Sequence, residues 1–338
     1  MKWSMSKIWN DSIEKGRPER ELKSRSNMWA SELGGSQIDR FLKMRGTKPT
    51  NPPNPHSMRK FEAGNMMEWL VGLVLKRAGI LIENQEWLSY QYPGLSEVTG
   101  KLDFFAGGQP DWEKAKEAVK SLELPDFFNR ATDAIIAHFA QEYPNGLEKI
   151  VIEVKSCSSF MFDRYEKVGA SQNHVLQTFH YLKSKNMEEG HIVYICKDDL
   201  RMLEVGVMNP SPVEDLYRGD IEAMSNFLRN DQQPELEKEV FFDKETGRFS
   251  KNWKVEYSNF LTMLYGYSEP EAYRMRWDSK VASFNRTLGR IVAGKNMTPL
   301  NKTVIEEMIA IFPNFDEFVA IAKEKGVKEE NGEEAIVI

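Results

Sequence analysis

Two hydrophobic rhythms organise the first two-thirds of the chain. From about Ser57 to Ala78 apolar residues return at helical spacing, and Gly79 stands where helices commonly stop. In Ile150-Val151-Ile152-Glu153-Val154-Lys155 the β-branched residues favour a strand, whose period of two turns Glu153 and Lys155 to one face. Further strands are expected at Ile80–Glu83, Trp87–Tyr90, Gly100–Phe105, Lys149–Lys155, His191–Cys196 and Met202–Val207. Helical spacing is expected over 28–46, with Ser31 near its start. It is expected again over about Asp111 to Glu142, where Ala115, Ala118, Val119, Leu122, Phe127, Ile135, Ile136 and Phe139 carry it. Pro49, Pro52, Pro53 and Pro55 fix φ and remove donors, so 47–55 is a loop. From residue 211 the pattern is helical, except for Glu239-Val240-Phe241-Phe242 and a turn at 243–250. Strand, hairpin, helix and strand in this order predict an α/β core with a mixed sheet.

Composition narrows the classes. With 338 residues and 41% hydrophobic content, the chain can bury a sizeable core. No apolar run approaches the ~20 residues that span a bilayer, and Met1-Lys2-Trp3-Ser4-Met5-Ser6 lacks a signal-peptide core. A soluble, cytoplasmic protein is expected. Cys157 and Cys196 cannot form a disulfide framework or a four-thiolate metal site. The net charge of −6 disfavours indiscriminate polyanion binding, yet it is unevenly spread. Between Arg274 and Lys302 stand seven basic residues (Arg274, Arg276, Lys280, Arg286, Arg290, Lys295, Lys302) and one acid, Asp278. Tyr273, Trp277 and Phe284 lie among them, so one surface is expected to give both phosphate contacts and base stacking; the alternative is a solvated helix face.

The candidate chemistry sits on the strands. Asp103 follows Val98-Thr99-Gly100-Lys101-Leu102, and Glu153 and Lys155 share a strand face. Burying opposite charges on a strand is costly unless they pair or hold an ion, and hard carboxylate oxygens suit Mg2+ or Mn2+. The bland alternative is a salt bridge at a strand end with Asp103 opening a turn. Phe61, Gly64, Asn65, Glu68, Val71, Gly72 and Leu75 share one helical stripe, so Glu68 is either a further ligand or an acid at the stripe's edge. Asn173, Gln177 and Tyr181 are spaced by four on a predicted helix, ready to point together at a site or to form a wet polar stripe.

Taken together, Gly64-x-x-x-Glu68, Gly100-x-x-Asp103, Glu153-x-Lys155 and Gln177-x-x-x-Tyr181 resemble the RecB-like exonuclease branch of the PD-(D/E)XK nuclease superfamily. That branch includes CRISPR-associated RecB-type, AddB-type and phage exonucleases. Met28-Trp29-Ala30-Ser31-Glu32-Leu33-Gly34-Gly35-Ser36-Gln37-Ile38-Asp39-Arg40 is similar to its N-terminal segment, where iron–sulfur members carry a cysteine at the place of Ser36. Trp253-Lys254-Val255-Glu256-Tyr257-Ser258-Asn259-Phe260 is similar to the segment that brings the other three. No cysteine stands in either, so no iron–sulfur cluster is expected, with packing between the two segments in its place. The span from Asp103 to Glu153 departs from the family, which joins these strands by a short hairpin.

The resemblance implies a restriction-endonuclease-like core, α/β with a central mixed sheet flanked by helices, a helical insertion and a helical C-terminal extension. Its expected parts are a polar arm at 1–27, the nuclease domain at 28–265 with the insertion at about 108–147, a helical extension at 266–326 and an acidic tail at 327–338. The insertion would serve as a lid, a docking surface or a neutral elaboration. Glu68, Asp103, Glu153 and the Val154 backbone carbonyl would hold Mg2+ or Mn2+, Lys155 would position or deprotonate water, and Gln177 and Tyr181 would orient Lys155 and the phosphate. The implied function is a metal-dependent DNA exonuclease of phage or prokaryotic replication, recombination or repair, working on single strands or duplex ends. Arg274, Arg276, Lys280, Arg286, Arg290 and Lys295 are the expected DNA contacts, and a replication or recombination protein is a further expected partner. Two alternatives remain: a structure-selective endonuclease, and a nuclease-like DNA-binding module of a larger complex.

Overall fold

A computed structural model describes residues 4–16, 23–121, 132–210 and 212–328. Part of the expected N-terminal arm, the middle of the insertion with Leu122 and Phe127, and most of the acidic tail lie outside these residues, as do the side chains of Ala118 and Val119. The chain divides into two compact units, Met1–Lys48 with Pro53–Pro234, and Pro49–Pro52 with Glu235–Ile338.

The first unit is an α/β fold around a six-stranded mixed sheet. Its strands are β1 (Met28–Trp29), β2 (Leu81–Tyr90), β3 (Val98–Gly108), β4 (Leu147–Cys157), β5 (Glu189–Cys196) and β6 (Met202–Met208). β2 runs antiparallel along β3, and β1 pairs in parallel with Val98 and Thr99. β4 takes up Phe104–Gly108 antiparallel, with Phe104 facing Ile152 and Phe105 facing Val151. β5 lies parallel to β4, and β6 closes the order antiparallel to β5. The expected fold class is the observed one, and β3 and β4 are neighbours despite the long span between them.

Alternation then decides which side chains meet. Phe104, Ala106, Ile152, Val154, Val193 and Ile195 form one buried cluster with Val71 of the long helix Pro55–Arg77. Burying such a face is the main favourable term holding helix to sheet. Gly72 sits where a Cβ would lie 2.8 Å from the Phe104 ring, so only glycine lets this helix settle so close. The helix opens on Pro55, the last proline of the predicted loop, with Asn54 accepting from Ser57 N at 2.8 Å. The helix Gln172–Lys185 joins β4 to β5 through the shorter helix Ser159–Val168, and it buries Leu176, Phe179 and Leu182.

Three local expectations are corrected. The stretch 28–46 is not one helix: β1 is followed by a 3-10 turn at Ala30–Glu32 and a helix at Gln37–Met44, whose cap is Ser36 and not Ser31. Pairing of Met28 and Trp29 with a distant strand overrides the local preference. The expected strands at 80–83 and 87–90 are one strand, with a register shift between Leu81 and Glu83. Phe61, placed on the inward stripe, is 54% exposed.

In the second unit the hairpin of β7 (Val240–Asp243) and β8 (Arg248–Lys251) packs with the helices Pro270–Val292, Pro299–Ile311 and Phe315–Glu324. Phe242, Phe249, Tyr273, Trp277, Phe284 and Phe312 are buried in its core. Asn285 fastens the hairpin, accepting from Phe249 N at 2.8 Å and donating to its carbonyl at 3.0 Å. The boundary therefore falls after Pro234, where a break near 265 was expected. Asn51 explains the outlying prolines: its N–H donates to Asn259 O at 2.8 Å, and its side chain accepts from Thr262 N at 2.7 Å.

Candidate active site

Lys155 is the hub of a hydrogen-bond chain across the first unit. Its Nζ donates to Glu153 Oε1 at 2.5 Å and to Gln177 Oε1 at 3.0 Å. Gln177 Nε2 donates to the Tyr181 hydroxyl at 3.1 Å, and Tyr181 donates to Lys101 O at 2.9 Å. Each amide atom of Gln177 thus has one defined role, and Tyr181 is tied to the backbone of β3. Tyr181 fits because Gly100 has no side chain; a Cβ there would come within 2.8 Å of the ring and 2.6 Å of Ala30 Cβ. Asn173 does not join the chain, because it accepts from Ser171 Oγ at 2.7 Å at the start of the helix.

The acids approach from three elements. One step beyond the Phe104–Ile152 pair, the register brings Asp103 level with Glu153. Asp103 Oδ2 accepts from Val154 N at 2.8 Å, which stitches β3 to β4 through a side chain. Glu68 reaches in from the long helix and accepts from Gln85 Nε2, and the same nitrogen lies 3.5 Å from Asp103 Oδ1. Gln85 was missed by the sequence reading. It holds a positive φ of 56° on β2, between the two strand segments that the pattern had separated.

Burial makes this group electrostatically strained. Glu153 is 2% exposed, and its Oε2 is buried without a hydrogen-bond partner. Burial, followed by the charge of Asp103, pushes Glu153 up to about 8. Burial and Asp103 likewise push Glu68 up to about 7, against the Gln85 bond. Asp103 is raised by burial, although Lys155 and the Val154 N–H pull it down. For Lys155 burial works downward, but Glu153, Asp103 and Glu68 outweigh it and hold the ammonium above its ordinary range. The lysine side chain keeps 23% of its surface exposed.

All six predicted catalytic residues, Glu68, Asp103, Glu153, Lys155, Gln177 and Tyr181, belong to this one arrangement. As they stand, no three His, Cys, Asp or Glu side chains among the described residues are gathered closely enough to grip an ion. Lys155 takes one oxygen of Glu153, and Gln85 takes one of Glu68. The donor set nevertheless fits a hard divalent cation: all its donors are oxygens, one of them is buried and unpaired, and burial raises all three carboxyls above their ordinary range. Ser36 caps its helix by accepting from Asp39 N at 3.4 Å.

The basic segment lies on the helix Pro270–Val292 of the other unit. Its expected stacking residues are corrected: Tyr273, Trp277 and Phe284 are at most 5% exposed and fill that unit's core. Their spacing along the helix is that of a core stripe. Arg274 pairs with Glu256 at 2.7 Å and Glu271 at 3.0 Å, Lys280 pairs with Glu307, and Arg276 covers Tyr267 and Trp277. Arg286 and Arg290 lie on the same helix, and Lys295 just beyond it is exposed. Among the described residues no helix is long and apolar enough to cross a membrane.

No family model matches the chain, and no curated protein matches it. Among solved structures it is similar to one described as SSO0001, at 14% identity and a TM-score of 0.45, over 79% of this chain and 98% of that one. It is also similar to an alkaline exonuclease (LHK-Exo) from Laribacter hongkongensis, at 10% identity and a TM-score of 0.29, over 67% of this chain and 97% of that one. The geometry of the site therefore carries the functional reading.

Proposed function

We propose that the protein is a divalent-metal-dependent nuclease that hydrolyses phosphodiester bonds of DNA. The observation that carries this reading is the meeting of Asp103 and Glu153 beside Lys155 on adjacent antiparallel strands, with Glu68 reaching in from the long helix and one carboxylate oxygen buried and unpaired. Such a cluster is costly unless it serves chemistry, and perturbed acids grouped beside a cation mark functional sites. Glu68, Asp103, Glu153 and the Val154 carbonyl would hold Mg2+ or Mn2+, which when bound lowers the pKa of a water and offsets charge on the scissile phosphate.

The residues of the chain do the rest. Lys155, held protonated by three acids, offers its ammonium as a hydrogen-bond donor to a phosphate oxygen or to the attacking water. It gains the freedom to act as a base only as the charge of those acids is neutralised. Gln177 fixes the direction of Lys155, and Tyr181 fixes Gln177 through the carbonyl of Lys101. These two act by positioning. The motif resemblance adds the expectation of an exonuclease working from DNA ends.

Digestion of end-labelled linear DNA beside a closed single-stranded circle, with Mg2+ or Mn2+, tests this reading. Loss of the linear DNA alone, dependent on metal and on Lys155, is the expected result and gives the polarity. A cut circle would make the protein an endonuclease. Activity that survives Lys155→Ala, or wild-type protein that cuts neither substrate, would overturn the catalytic assignment.

A further inference from the structure

Beside the acids, a cleft of about 320 Å³ runs between the long helix Pro55–Arg77 and β2, near the lower end of the range for ligand pockets. Its floor is apolar, made of Gly72, Leu73, Leu81 and Phe104. Its rim is polar and aromatic, with Asn65, Trp69 and Lys76 on the helix side and Asn84 and Gln85 on the strand side. Glu68 and Gln85 belong both to this cleft and to the carboxylate group, so its occupant lies against the proposed site of cleavage.

The rim groups are uncommitted. Trp69 is 49% exposed, and among the described residues it has no ring, cation or hydrogen-bond partner. The side chains of Asn65, Asn84 and Lys76 likewise have no protein partner among the described residues. An exposed indole beside two free amides over an apolar floor is poor at holding a bare phosphate. It suits a flat, uncharged heteroaromatic group with donors and acceptors on its edge.

We propose that this cleft receives a nucleobase of the strand being cut, stacked on Trp69 and met at its edge by the amides of Asn65 and Asn84. The proposal rests on the nuclease reading and deepens it. A base held here fixes the register of its strand, so the phosphate beside Lys155 is chosen by position along the strand. Lys76 at the rim attracts the neighbouring phosphate.

Binding in the absence of divalent ions tests it. Single-stranded oligonucleotides carry one 2-aminopurine at successive positions from either end, and a parallel set carries one abasic nucleotide at the same positions. The expected result is quenching at one position, lost in Trp69→Ala and kept in Trp69→Phe, which retains a ring. An abasic nucleotide at that position weakens binding to the wild type about tenfold and leaves Trp69→Ala unaffected. Equal quenching in Trp69→Ala, no preferred position, or an abasic penalty that multiplies with the substitution overturns the proposal. The two readings fail separately. Quenching in a protein that cuts no DNA keeps the cleft and removes the nuclease, whereas cutting without position-specific quenching does the reverse.

Discussion

Arg40–Asp220 and Lys155–Glu153 are both ion pairs inside the first compact unit, yet they are built differently. Asp220 receives Arg40 Nη1 on both oxygens, at 2.7 and 2.8 Å, and Gly34 N at 3.3 Å. Its pair clamps the Gln37–Met44 helix to the helix Val213–Arg229, with each carboxylate oxygen satisfied. Glu153 has one oxygen on Lys155 and the other buried with nothing, beside two further acids whose charges oppose its own. The first arrangement matches one cation to one anion, although Arg40 Nε is itself buried without a hydrogen-bond partner. The second crowds three acids around one lysine, so their charge is offset by bound protons or, on the proposed reading, by a divalent cation, which separates a pair that closes on itself from a pair open to a further partner.

Substitutions at each pair sharpen the contrast. Lys155→Ala should cost at least about 10²–10³-fold in cleavage while DNA binding survives, because it removes a preorganised donor. Wild-type turnover in this variant would merge the two pairs into one structural class. Asp220→Ala should show the opposite pattern. It leaves the guanidinium of Arg40 buried without its partner, so denaturant unfolding should register a loss of about 3–5 kcal/mol, with activity per folded molecule retained. Between these lies Tyr181→Phe: losing the hydroxyl frees Gln177, and kcat should fall about tenfold with KM little changed. A raised KM with kcat unchanged would instead assign Tyr181 to substrate binding. The smallest effect is expected on the basic helix. If Arg286 meets a phosphate, Arg286→Ala should weaken DNA binding uniformly across sequences and lower the salt slope by about 1. An unchanged slope would leave this helix a solvated face.

Much of the site could be read from local pattern, since Glu153, Lys155, Gln177 and Tyr181 lie on elements whose period declares their faces. Glu68 was legible as an acid on an inward stripe. Gln85 was not, because a register shift and a left-handed residue break the alternation of β2, and its role depends on partners 17 and 18 positions away. The split of 28–46 was hidden for a related reason, as β1 exists only by pairing with Val98 and Thr99. The membership of residues 49–52 in the second unit turns on Asn51, whose partners Asn259 and Thr262 stand about two hundred positions downstream. Tyr273, Trp277 and Phe284 show the converse: their spacing marked a buried stripe, and the surrounding basic residues drew attention to the wrong face.

Thermal unfolding of wild type and Glu153→Gln between pH 6.5 and 8, without divalent ions and with Mn2+, tests the central claim. Glu153 and Glu68 have folded pKa values of about 8 and about 7 against ordinary values of 4.5, so the folded state holds protons that the unfolded state has released. Stability from these groups is complete below pH 4.5 and is lost as pH rises through 7 and 8. Buried His174 and His180, lowered to about 3 and about 4, act in the opposite sense below pH 6.5 and leave this window clear. The metal-free wild type should therefore lose stability as pH rises from 6.5 to 8 and regain it with Mn2+. Glu153→Gln should lose less and regain little. Identical pH profiles and identical Mn2+ responses in the two proteins would contradict the account, because they would leave Glu153 an ordinary salt-bridge partner with no excess charge for a cation to settle.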